Sequence, residues 1–205
     1  MMTKLPYLPE TPSQTAGPYV HIGLTPNALG NAGIYPQDLG AAPIRDGAKG
    51  ERITIRGTVT DGAGMILRDA LIETWQADAQ GIYPAPNDPR GRADPNVTGW
   101  ARIIADFDSG VWTLETIKPG TVPHPSGDTM APHLSAWVVA RGINIGLQTR
   151  IYFEDEVAAN EKCPILARIE HKDRVSTLLA KKTGKGEYWF EVKLQGEDET
   201  IFFDL

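Results

Sequence analysis

A chain of 205 residues is long enough to bury a full core as one domain without staples. Its 41% hydrophobic and 22% charged composition is that of an ordinary globular protein. The formal net charge of −6 argues against nucleic acid and anionic membrane surfaces as partners, and a single cysteine, Cys163, excludes an intramolecular disulfide or a thiolate metal cluster.

Residues 1–50 carry prolines from Pro6 to Pro43 with glycines between them, a density that forbids a helix and predicts an extended arm. Tyr7, Tyr19, Ile22, Leu24, Ile34 and Tyr35 give that arm apolar groups to lay across its own domain or a neighbouring subunit. The first residues contain no apolar signal-peptide core, and no run is long enough to span a bilayer, so a cytoplasmic chain is expected.

From Glu51 the pattern turns to period two, which opens a predicted domain over 51–205. ERITIRGTVT and LIETWQ read as alternating strands on either side of an Asp61-Gly62 turn. Gly81 to Asn96 is a loop long enough to carry function. WARIIADF and VWTLETI, separated by Asp108-Ser109-Gly110, predict a β-hairpin.

Gly120 to Pro132 is a Pro/Gly/His loop that looks like the wall of a site, and it feeds the apolar strand Leu134 to Ala140. LQTRIYF follows as a further strand. One helix is predicted over Val157 to Glu170, interrupted by Pro164, then strands VSTLLAKK and YWFEVKL, with TIFFDL docked at the end. About eight short strands, frequent turns and one short helix predict a mainly β fold, a β-sandwich of short mixed or antiparallel strands.

The chemistry-bearing candidates are few. There is no phosphate-binding glycine loop and no nucleophile elbow. Trp75, Trp137 and Trp189 occupy strand positions that are usually core, and Cys163 reads as a small buried hydrophobe. His133 and Ser135 stand two apart, on one face of a strand, where a second imidazole in place of the serine would make a metal pair. His124 reads as a surface residue beside prolines, and His21 and His171 have no supporting carboxylate spacing. On ligands alone the chain is not expected to hold a transition metal tightly. Arg141 closes an apolar strand with its fork at the rim, which suits either an ion pair or an anion clamp.

The runs TPSQTAGPYVHIGL (11–24), ETWQADAQGIY (73–83), DFDSGVWTLETIKPG (106–120) and ARGINIGLQTRIYFED (140–155) resemble the intradiol ring-cleaving dioxygenases, whose sandwich is of the transthyretin-like kind. The resemblance covers nearly the whole chain. It implies a non-haem ferric ion, Fe(III), held by two tyrosines and two histidines in the family's catalytic chains. This sequence departs from three of the four: Val122 replaces one tyrosine, the loop near Asn87 to Pro95 has Arg90 and no tyrosine, and the His-x-His pair is reduced to His133-Leu134-Ser135.

His133 is then a vestigial metal position, and the resemblance implies a chain without metal beside a homologous, iron-bearing beta chain in a higher-order αβ assembly. The implied reaction is cleavage of 3,4-dihydroxybenzoate by O2 to 3-carboxy-cis,cis-muconate. Carried over by motif, Thr15, Gly17, Pro18 and Tyr19 line the substrate mouth and Arg141 supplies positive charge near the bound acid. Two rival expectations are a single-chain dioxygenase with an unusual metal site and a non-catalytic binding or scaffold module.

Overall fold

The structure, a computed structural model, describes residues 14–204. Tyr7, the first residues of the 11–24 run and Leu205 lie outside them. The described residues form α1 (Pro18–Leu24), β1 (Arg52–Thr60), β2 (Leu71–Gln76), β3 (Trp100–Ile104), β4 (Trp112–Ile117), β5 (Val122–Pro123), β6 (Thr129–Met130), β7 (His133–Val139), β8 (Leu147–Phe153), α2 (Val157–Lys162), α3 (Pro164–Arg168), a 3-10 turn (Lys172–Leu178), β9 (Leu179–Gly184) and β10 (Glu187–Lys193).

Eight strands in the order β3-β2-β7-β8-β9-β10-β1-β4 make one mixed sheet, while β5 and β6 pair as a small hairpin. The β8–β9 ladder holds only the pairs Tyr152↔Leu179 and Phe153↔Ala180, and there the sheet folds over into two layers. The period-two reading of β1 holds: Ile53, Ile55 and Val59 are buried while Arg52 and Arg56 face out. These residues meet Ile72, Trp112, Leu134, Val138, Ile151, Phe153 and Phe190 in the main core. Gln76 ties the layers, its Nε2 donating to the Ile117 carbonyl (3.0 Å) and its Oε1 accepting from Thr116 Oγ1 (2.8 Å), so this buried amide is satisfied. Gly57 permits the close β1–β10 approach, since a Cβ there would lie 1.7 Å from the Phe190 carbonyl oxygen.

Several expectations need correction. The arm is not extended throughout, because α1 fits between Pro18 and Pro26 with Pro18 at its first turn, where the missing N–H costs nothing. Further along, residues 40–45 do lie across the chain's own domain: the Gly40 carbonyl accepts from Arg102 N–H (2.9 Å) and the Pro43 carbonyl from Thr98 N–H (2.9 Å). That pairing covers the outer edge of β3.

The predicted hairpin of β3 and β4 is a turn without a ladder. Asp106 does close it, its Oδ1 accepting from Ser109 N–H (2.7 Å), but β3 pairs with β2 and β4 pairs with β1 at opposite edges of the sheet. An open groove of about 940 Å³ separates those two edges. The predicted single helix is two, α2 and α3, broken at Cys163 because Pro164 starts a new first turn. Residues 175–178 are 3-10 rather than strand, with Ser176 and Thr177 hydroxyls bonding back to the Asp173 (3.2 Å) and Arg174 (2.8 Å) carbonyls.

Trp75, Trp137 and Trp189 are half-buried on outer faces, and Trp112 is the tryptophan sealed in the core. Cys163 is fully buried, as its reading requires. The tail docks through Phe203 N–H to the Gln148 carbonyl (2.8 Å).

Candidate functional site

The candidate residues fall at the two ends of β7. His133 begins the strand and Arg141 follows its end; the strand itself spans roughly 20 Å at about 3.3 Å per residue. On β7 the even positions Leu134, Ala136 and Val138 enter the main core, so His133 and Ser135 share the outer face. A second cluster covers that face, built from Val122, Met130, Tyr152, Cys163 and Leu166.

At the His133 end the donor set does not fit a ferric ion. Val122 is buried and presents only methyl groups where a phenolate is needed. Ser135 faces Arg150 directly across the β7–β8 ladder. The Arg150 guanidinium lies 3.4 Å from both the Tyr152 hydroxyl and Met130 Sδ, so a fixed cation sits beside the position of the absent second imidazole. Burial first, then the charge of Arg150, lowers the His133 pKa to about 4. Its Nδ1 pairs with the Ala131 carbonyl (2.8 Å) and its ring tilts against Tyr152 at 5.4 Å.

Burial also raises the Tyr152 and Tyr83 phenols above their ordinary range, which disfavours the phenolate a ferric ion binds. The loop after Gly81 is occupied internally: Arg90 donates to Asp88 Oδ1 (2.8 Å) and to the Gly81 carbonyl. Among the described residues no three His, Cys, Asp or Glu side chains converge as a metal site. The wall-like loop Gly120 to Pro132 is the β5–β6 hairpin, whose tip carries His124 in a local bond to Ser126 Oγ (2.7 Å).

At the other end, the structure brings the arm to Arg141. Thr15 Oγ1 accepts from Gly142 N–H at 2.7 Å, a contact between residues remote in sequence. Gly17 caps α1, Pro18 and Tyr19 open it, and Tyr19 is 85% exposed. Arg141 is 68% exposed along its side chain and pairs through Nε with Asp69 Oδ2 at 2.5 Å. Thr15, Pro18, Tyr19 and Arg141 are all exposed, so in this chain they lie on an open surface and not in a closed pocket.

Sequence reasoning missed Asp69 and Arg150. Asp69 has no local signal, being distant in sequence from Arg141. Arg150 had one: Arg150 and Tyr152 are two apart on a core strand and so share the face of His133.

A dioxygenase family model matches residues 29–196. The chain is 48% identical to the protocatechuate 3,4-dioxygenase alpha chain of Pseudomonas putida over 201 residues, covering 97% of this chain and 98% of that one. It is 30% identical to the protocatechuate 3,4-dioxygenase beta chain of Burkholderia cepacia over 203 residues, 95% of this chain and 79% of that one. Its fold is similar to the crystal structure of 3-chlorocatechol 1,2-dioxygenase from Rhodococcus opacus 1CP, with a TM-score of 0.57 at 23% identity over 79% of this chain and 66% of that one. The matched model spans both ends of β7, and by these likenesses the chain belongs to the intradiol ring-cleaving dioxygenase family.

Proposed function

We propose that this chain is the metal-free, alpha-type subunit of a protocatechuate 3,4-dioxygenase. Its partner is a homologous beta-type chain that holds the non-haem Fe(III). The assembly converts 3,4-dihydroxybenzoate and O2 to 3-carboxy-cis,cis-muconate, both oxygen atoms entering the product. Activation of the catechol toward O2 is the chemistry that Fe(III) would supply when bound, and it would belong to the partner.

The observation that carries this reading is the separation of the two ends of β7. The end where the family holds metal is filled by Arg150 and Val122, while the other end gathers Thr15 and Arg141 on an exposed surface. This chain's residues therefore act by binding and orienting. The Gly17-Pro18 backbone offers a stiff wall that a planar ring can approach closely. Arg141 presents a guanidinium to the substrate carboxylate, a charge-assisted contact that holds the acid end of the ring.

One observation favours a second reading, the scaffold module: Arg141 already has an ion-pair partner in Asp69. A pair this exposed is worth about 0–1 kcal/mol, too little to withhold the guanidinium from a substrate carboxylate. Arg141→Ala in the assembled enzyme separates the readings. The clamp predicts a loss of roughly 1.5–3 kcal/mol in kcat/KM for 3,4-dihydroxybenzoate, the scale of a hydrogen bond to a charged group. Unchanged kinetics in an intact assembly would establish the scaffold.

A further inference from the structure

Arg141 is fixed from two directions. The Gly142 N–H that follows it donates to Thr15 Oγ1, which holds the main chain, and Asp69 holds the side chain. Asp69 sits just before β2, and its side chain is 21% exposed against 68% for the arginine. The carboxylate is thus the half-buried member of the pair and the guanidinium the projecting one.

Asp69 makes its closest approach to Arg141 at Nε, and the terminal nitrogens of Arg141 form no hydrogen bond among the described residues. Those terminal nitrogens are the edge of the fork that receives a carboxylate in bidentate fashion. Asp69 Oδ1 is buried without a hydrogen-bond partner, and so is His21 Nε2 nearby, on a ring packed 5.9 Å from Phe107. Burial lowers the His21 pKa against the pull of Asp69, so the imidazole stays neutral and does not compete with Arg141 for the carboxylate.

We propose that Asp69 is a positioning residue for substrate recognition: by holding Nε of Arg141, it aims the terminal guanidinium edge at the carboxylate of the ring-cleavage substrate. This rests on the reading of Arg141 as a clamp. A free arginine chain must surrender its rotamer freedom on binding, whereas one already tethered at Nε has surrendered part of it. The selectivity follows: Asp69 matters for catechols that bear a carboxylate and not for neutral ones.

The test uses the enzyme assembled with its beta-type partner, with matched iron content and size as controls. Asp69→Asn and Asp69→Ser are made in the wild-type and Arg141→Ala backgrounds and assayed with 3,4-dihydroxybenzoate and with its neutral amide, 3,4-dihydroxybenzamide. For the acid we expect KM to rise about 3- to 10-fold with kcat within about twofold, and KM for the amide to stay unchanged. In the Arg141→Ala background the Asp69 substitutions add nothing. Unchanged KM for the acid, an equal rise for the amide, or an undiminished effect without Arg141 would each overturn the proposal. If Arg141→Ala alone leaves KM unchanged, the clamp reading itself fails, an outcome distinct from a silent Asp69.

Discussion

His133 has the surroundings of a core residue, buried with its ring against Tyr152 and its Nδ1 paired with the Ala131 carbonyl. Its folded pKa of about 4 lies below the unfolded 6.5, so the unfolded chain binds the extra proton between those values. Stability from this group is therefore complete above about pH 6.5 and is lost as pH falls toward 4, by about 2 kcal/mol between pH 7.5 and pH 5. His21 is lowered too and adds to the slope with the same sign. Urea unfolding at the two pH values should show a shallower dependence for His133→Asn than for the parent chain; equal slopes would mean that the imidazole is not held neutral by burial. At this scale the sequence was legible wherever a ligand was missing, as at Val122 and Ser135. It was silent where a replacement had come from another strand, because Arg150 reaches Ser135 only through β7–β8 pairing and Asp69 reaches Arg141 only through the closed fold.

Elements were legible where one face alone is buried. The alternation of β1 was readable because Ile53, Ile55 and Val59 all meet one core. The hairpin of β3 and β4 misled because its turn is real: Asp106 closes it onto Ser109, yet the strands leave in different layers, a choice made by their remote partners β2 and β1. α1 was missed because a proline that breaks a helix interior also starts one. Gly57 shows how tightly β1 is set between its neighbours. A methyl group there would meet the Phe190 carbonyl and, at 2.7 Å, the Trp112 ring, and both are fixed. Gly57→Ala should cost more than about 3 kcal/mol in denaturant unfolding, in the range of severe overpacking. A loss under about 1 kcal/mol would show that the β1–β10 spacing yields.

At the scale of the whole molecule, the surface around Arg141 carries apolar groups that a lone chain leaves in water. Tyr19, Ile22, Phe107 and Ile145 are all exposed, on α1, the β3–β4 turn and the loop after Arg141. Covering them with a partner should raise the thermal midpoint of the chain on co-assembly, as any ligand of the folded state does. A midpoint that does not move in the presence of a beta-type chain would remove this face as the interface. The fold class was legible from strand count and turn density, but the strand order was not, since it depends on which edges meet. The central claim, a metal-free chain completing a partner's iron site, is tested most directly by iron content and 3,4-dihydroxybenzoate-dependent O2 uptake, measured for this chain alone and after co-expression with a beta-type chain. The account predicts neither iron nor uptake in the isolated chain and both in a co-purifying complex. Iron and turnover in the isolated chain would contradict it.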